Sequence, residues 1–134
     1  MKSIYAKNYS LHVDEEHKVI YTTVKGFMRS AELWEMLDSK MKLIRSYNIT
    51  TLLNDFKRLD AVSPIDQQKI SSDWFMKAEK SGIKRIGYVV PEQLFGKVAL
   101  KRTIDSSKFE TPIEIKLFTD VDFAEKWVKN TDIN

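Results

Sequence analysis

Hydrophobic and polar positions along the chain change period several times, and the changes mark out its elements. Tyr9, Leu11 and Val13 alternate with Ser10, His12 and Asp14, the two-residue period of a strand with one buried face. Residues 19–24, Val-Ile-Tyr-Thr-Thr-Val, are β-branched and aromatic and predict a second strand. Asp14-Glu15-Glu16-His17 between them is short and polar, so the two strands should form a hairpin. Gly26 then breaks the pattern.

The period lengthens next. Leu33, Leu37, Met41 and Ile44 repeat at helical spacing, with Trp34 widening the stripe, and predict a helix over 30–46 capped by Ser30. Glu32, Glu35 and Asp38 fill its first half, Lys40, Lys42 and Arg45 its second, an order that complements the helix dipole. Met36 and Leu43 fall off the stripe and read as surface apolars. Residues 51–53 make a short strand ending at Asn54-Asp55. Ser63-Pro64-Ile65-Asp66 then starts a helix, with Ser at the N-cap, Pro at the first helical position and an acid two residues on. Ile70, Trp74 and Ala78, with Phe75, should face inward, and Ser81-Gly82 should stop the helix. Residues 85–90 are almost continuously apolar, the mark of a strand covered on both faces. A third helix is predicted over 93–106, a strand over 113–117, and a final helix capped by Asp120 with Phe123, Ala124, Trp127 and Val128 inward.

The order ββαβαβαβα predicts an α/β fold: a mixed five-stranded sheet with an antiparallel N-terminal hairpin, flanked by four helices. With 134 residues and neither repeat nor linker, residues 1–134 read as one domain. There is no cysteine, which removes disulfides, Cys-ligated zinc and thiol catalysis. Lys and Arg total 22 against 19 acids, a net charge of +3 spread along the chain, so specific nucleic-acid binding is not expected. No signal-peptide core follows the N-terminus and no apolar run approaches the roughly 20 residues of a membrane span. The expected location is cytoplasmic.

Catalytic groups are scarce. His12 and His17 are the two histidines, both by the hairpin. With Asp14 they offer too few fixed ligands for a transition metal and read as solvated turn residues. Gly26, Gly82, Gly87 and Gly96 are too dispersed for a phosphate loop, and no Gly-x-Ser-x-Gly elbow presents a nucleophile. Neither enzyme, metal site nor cofactor is expected.

The element order resembles the SpoIIAA-like branch of the STAS family, small bacterial proteins grouped with STAS and CRAL-TRIO lipid-binding folds. Leu53-Asn54-Asp55, the Val62–Gln68 helix start, Trp74-Phe75 and the segment 83–91 carry the resemblance. It implies a SpoIIAA-like (STAS-like) fold and a non-enzymatic role, either docking a protein partner or holding a small apolar or lipid-like ligand. The family's phosphorylatable residue sits at the helix start after the central strand. Here a loop over 56–62 is expected to intervene, and Ser63 reads as a cap instead.

Ligands of open α/β sheets bind beyond the carboxyl ends of the parallel strands. Those ends supply Asp55, Lys57 and Arg58, in a surface loop, and the start of the third helix. On that helix Lys97, Lys101 and Lys108 share a side with Ile104, whereas Leu94, Phe95, Val98 and Leu100 point in several directions. Gly96 inside it costs about 1 kcal/mol relative to Ala. Phe95, Lys97, Lys101 and Arg102 are therefore the expected basic-apolar face, a lid or a contact for an acidic partner or lipid headgroups. A filled core would favour an interaction module. A cavity of roughly 300–1,000 Å³ would favour a carrier or sensor of an apolar ligand.

Overall fold

In the computed structural model, which describes residues 2–106 and 112–129, six strands form one mixed sheet. Its order is β1 (Ser3–Tyr5), β2 (Tyr9–Asp14), β3 (Val19–Met28), β4 (Thr51–Val62), β5 (Arg85–Val89) and β6 (Glu114–Phe118). The first three are antiparallel and the rest run parallel to β3. The helices are α1 (Ser30–Tyr47), α2 (Pro64–Lys69), α3 (Phe75–Lys80), α4 (Leu94–Ser106) and α5 (Val121–Lys129). A π turn, Ile70–Trp74, joins α2 to α3, so residues 64–80 run as one helix and four helices flank the sheet.

Strand order follows chain order, and right-handed crossovers therefore stack α1, the 64–80 helix and α4 on one face. Their core joins Leu11, Ile20, Leu52 and Ile86 of the sheet to Ile44, Phe75 and Leu100 of the helices. α5 covers part of the opposite face, where Val19, Leu53 and Val89 meet Ala124 and Val128. β5 is buried on both sides, as its sequence requires: Tyr88 faces the first core and Gly87 lies under Trp127.

Several expectations need correction. The sheet has six strands, not five: Ile4 pairs with Leu11 at the outer edge, in a strand too short to display a period. β3 does not stop at Gly26 but passes through it at φ +77° and continues to Met28. β4 does not end at Asp55. Residues 56–62, expected as a loop, continue the strand, so Ser63 begins a helix directly after the central strand. Two register shifts hide this from the pattern. Thr23 and Lys25 pair with Asp55 and Arg58, and Gly26 and Phe27 with Leu59 and Ala61, so β4 twice carries one extra residue. Each bulge resets the alternation. Phe56, Leu59 and Val62 therefore face the same core although strict period two would turn Leu59 away.

On α1, Met36 and Leu43 are buried, because the helix packs through a broad face rather than a stripe. Arg29, not Ser30, is its N-cap, and the Ser30 hydroxyl donates to Asp66 Oδ2 instead. Phe123 of α5 is exposed rather than inward, whereas Ala124 and Val128 are buried. Lys108 lies outside the described residues.

Candidate functional site

The carboxyl ends of the parallel strands gather the start of α2 and the start of α4. Ser63 caps α2: its Oγ accepts from the Asp66 amide at 3.2 Å and donates to Asp66 Oδ2 at 2.9 Å. Asp66 is buried and also accepts from Ser30 and Trp34. Burial raises its pKa, but the hydrogen bonds from Ser30, Trp34 and Ser63 outweigh it and hold the carboxyl below its ordinary value. One carboxylate thus pins the N-termini of α1 and α2 together.

α4 lies across β4 and the π turn. Gly96 is there because the helix approaches the strand closely: a Cβ would overlap the Leu59 carbonyl and sit 2.9 Å from Pro91. The helix is regular despite its glycine. Its inner side buries Gly96, Ala99, Leu100 and Thr103. Ser71 of the π turn donates to the Thr103 carbonyl at 2.7 Å, a second tie.

The outer side of α4 carries the expected residues. Phe95, Lys97, Lys101 and Arg102 are all exposed, Phe95 at 75%. Leu94 and Val98 join them, at 68% and 36%. At about 100° per residue, Leu94, Val98 and Phe95 form one apolar strip, with Lys97 and Lys101 along one edge and Arg102 beside Phe95. The scattered apolars of the sequence thus sort into an inner and an outer set. Phe27 and Ile65, at the end of β3 and the start of α2, are exposed at the same end of the sheet.

The three β4 residues disperse. Lys57 stays near α4, its Nζ 3.9 Å from Glu92 and its carbonyl accepting from the Glu92 amide. Arg58 faces a groove beside Lys7 and Asn8 of the β1–β2 turn and Lys25 of β3. Asp55 turns to the other face of the sheet, in a groove with His12, Tyr21 and Glu125, and its carboxylate accepts from the Lys57 amide. The hairpin histidines have local partners: His12 Nδ1 lies 2.8 Å from Ser3 Oγ, and His17 Nδ1 2.8 Å from Asp14 Oδ2.

Beneath α4 lies a feature that sequence reasoning missed. A cavity of about 60 Å³ is walled by Met28, Met36, Leu59, Trp74 and Leu100. Lys40 reaches into its wall and is 1% exposed. Its Nζ donates to Asn54 Oδ1 at 3.1 Å and stands 5.6 Å from the Trp74 ring centre. Asn54 also hydrogen-bonds the Tyr88 hydroxyl, so three buried polar side chains converge from α1, β4 and β5. Burial pushes the Lys40 amine down to about 7 and raises Tyr88 far above the ordinary tyrosine range. The signal was present: Leu33, Leu37, Lys40 and Ile44 step by four, three and four, which sets a lysine in the middle of the buried stripe.

No family model matches the chain, and no curated protein matches it in sequence. Solved structures match it in fold. An anti-sigma factor antagonist from Mycobacterium paratuberculosis superposes with a TM-score of 0.60 at 15% identity, over 91% of this chain and 95% of that one. An uncharacterised protein of the DUF3478 family from Shewanella loihica PV-4, described as having a SpoIIAA-like fold, gives a TM-score of 0.60 at 18% identity, over 93% and 98%. Identity this low speaks to architecture alone, and the architecture of this chain is the SpoIIAA-like fold.

Proposed function

We propose that the chain is a non-enzymatic regulatory module that docks a protein partner on the outer face of α4. The observation that carries this is the exposed strip Leu94, Phe95 and Val98 bordered by Lys97, Lys101 and Arg102. A helix that merely covered the core would present polar residues outward. This one is apolar on both sides, and it starts at the strand ends, beside which open α/β sheets bind ligands. An apolar centre with a cationic rim suits a partner surface with an apolar patch inside acidic residues. The anti-sigma factor antagonist of similar fold bears a protein-directed name, which supports the same reading.

The carrier reading has less support. A cavity of about 60 Å³ falls well short of the roughly 300–1,000 Å³ that drug-sized ligands occupy. Native mass spectrometry of the chain purified from its own host compares the two. Docking at α4 requires a stoichiometric protein adduct on wild type that disappears in Phe95→Asp. A co-purifying lipid mass with no protein adduct would instead favour a carrier.

A further inference from the structure

The Lys40 cavity has a composition that packing alone does not require. Among its described lining residues, Lys40 and Tyr88 are the titratable ones; no Asp, Glu, His or Arg faces the space from α1, β4, β5, the π turn or α4. An amine in such a place is costly, because an ammonium has three N–H donors and here meets one acceptor, Asn54 Oδ1. The Trp74 indole N–H, on the same wall, is buried and has no hydrogen-bond partner. Two under-used donors therefore border one apolar space, and among the described residues neither meets an anion.

The backbone around the space is also unusual. Ile70 and Trp74, the first and last residues of the π turn, both line the cavity, and wide turns of this kind are frequent at functional sites. The roof is α4, held by the Ser71 hydroxyl and by the close seat of Gly96.

We propose that this cavity binds a short-chain monocarboxylate, its carboxylate on the Lys40 amine and its tail among Met28, Met36 and Leu59. The chemistry selects the class. A carboxylate supplies the missing counter-ion and a second oxygen for a further N–H donor. The apolar walls favour an anion that carries an apolar tail, because the tail gains burial there that a bare inorganic anion lacks. The volume selects for size: one water needs about 10–15 Å³ of such space, so about 60 Å³ takes roughly four to six non-hydrogen atoms, which suits acetate or propionate and excludes a fatty acid. Because the amine sits near 7, seating a carboxylate above that pH takes up one proton from solution, which leaves a buried ammonium–carboxylate pair.

Isothermal titration of the full chain with sodium propionate tests this directly. Saturable one-to-one binding is expected, weakening about tenfold from pH 7.5 to 8.5, with uptake of one proton read from buffers of different ionisation heat. n-Propylamine, of similar size and opposite charge, should not bind. Lys40→Met should lose the binding while staying folded, with a thermal midpoint no lower than that of wild type. In wild type, the Lys40 side-chain carbon next to the amine should shift to its ammonium position in NMR spectra as propionate saturates. Absence of saturable binding by both acetate and propionate, equal binding by Lys40→Met, or an unmoved Lys40 resonance overturns the proposal.

Discussion

Lys40 shows how one residue can be stated in the sequence and still be misread. Its charge assigns it to the surface, and its spacing assigns it to the core; the structure follows the spacing. The consequence is a pH dependence of known sign. The folded-state pKa of about 7 lies below the ordinary lysine value. Between the two, the unfolded chain holds more protons than the folded one, so stability rises with pH across that window. Below about 7 both states are protonated and the full cost of the buried charge is present. Lys40→Met should therefore be more stable than wild type at pH 6.5, by a few kcal/mol, with the gap shrinking towards pH 9. Denaturant midpoints at the two pH values check it. Asp66 behaves oppositely. Its depressed pKa gives stability above the ordinary aspartate value that is lost as pH falls through the folded one. Asp66→Ala strands the Ser30, Trp34 and Ser63 donors and should cost about 2–4 kcal/mol, against about 1 for Ser63→Ala. Urea unfolding near neutral pH should resolve the difference.

Elements differ in how openly they declare themselves. β5 was legible because burial on both faces leaves a run with no polar interruption. The cap of α2 was legible because Ser63, Pro64 and Asp66 each do a job fixed by local geometry. β4 was not, because its two bulges break the alternation by which a strand is recognised, and its exposed stretch carries Lys57, Arg58 and Asp60. α4 reads as irregular because apolar residues lie on both of its sides, although the helix is continuous. Gly96 looks like a weakness within it. Its meaning is tertiary, and the sequence alone could not supply the Leu59 carbonyl that it faces. Gly96→Ala should therefore reverse the usual sign. An exposed helix would gain about 1 kcal/mol. Here the melting temperature should fall, and hydrogen exchange should show the α4 amides losing protection before those of β5.

At the scale of the whole molecule, the sheet and its helices separate two layers of chemistry. The side with α1 and the 64–80 helix holds the cavity, roofed by α4, while the outer surface of that roof carries the basic-apolar strip. Of the seven residues proposed from sequence, the four on α4 share that surface, Lys57 borders it, and Arg58 and Asp55 look elsewhere. Helical periodicity could group residues within one helix; it could not tell which side of a bulged strand each β4 side chain takes. No helix among the described residues is long and apolar enough to cross a membrane. Charge reversal at Lys97 and Lys101 together should slow association with an acidic partner by tenfold or more and weaken its salt dependence, measurable by stopped flow once the partner is in hand. The most direct test of the docking face works with the partner still unidentified. A photo-crosslinking amino acid is placed at Phe95 and, as a control, at Met76, which is 54% exposed on α3, and each variant is irradiated in the native host. Docking through α4 predicts one discrete protein adduct from position 95 and none from position 76; equal crosslinking at both, or an adduct at 76 alone, would contradict it.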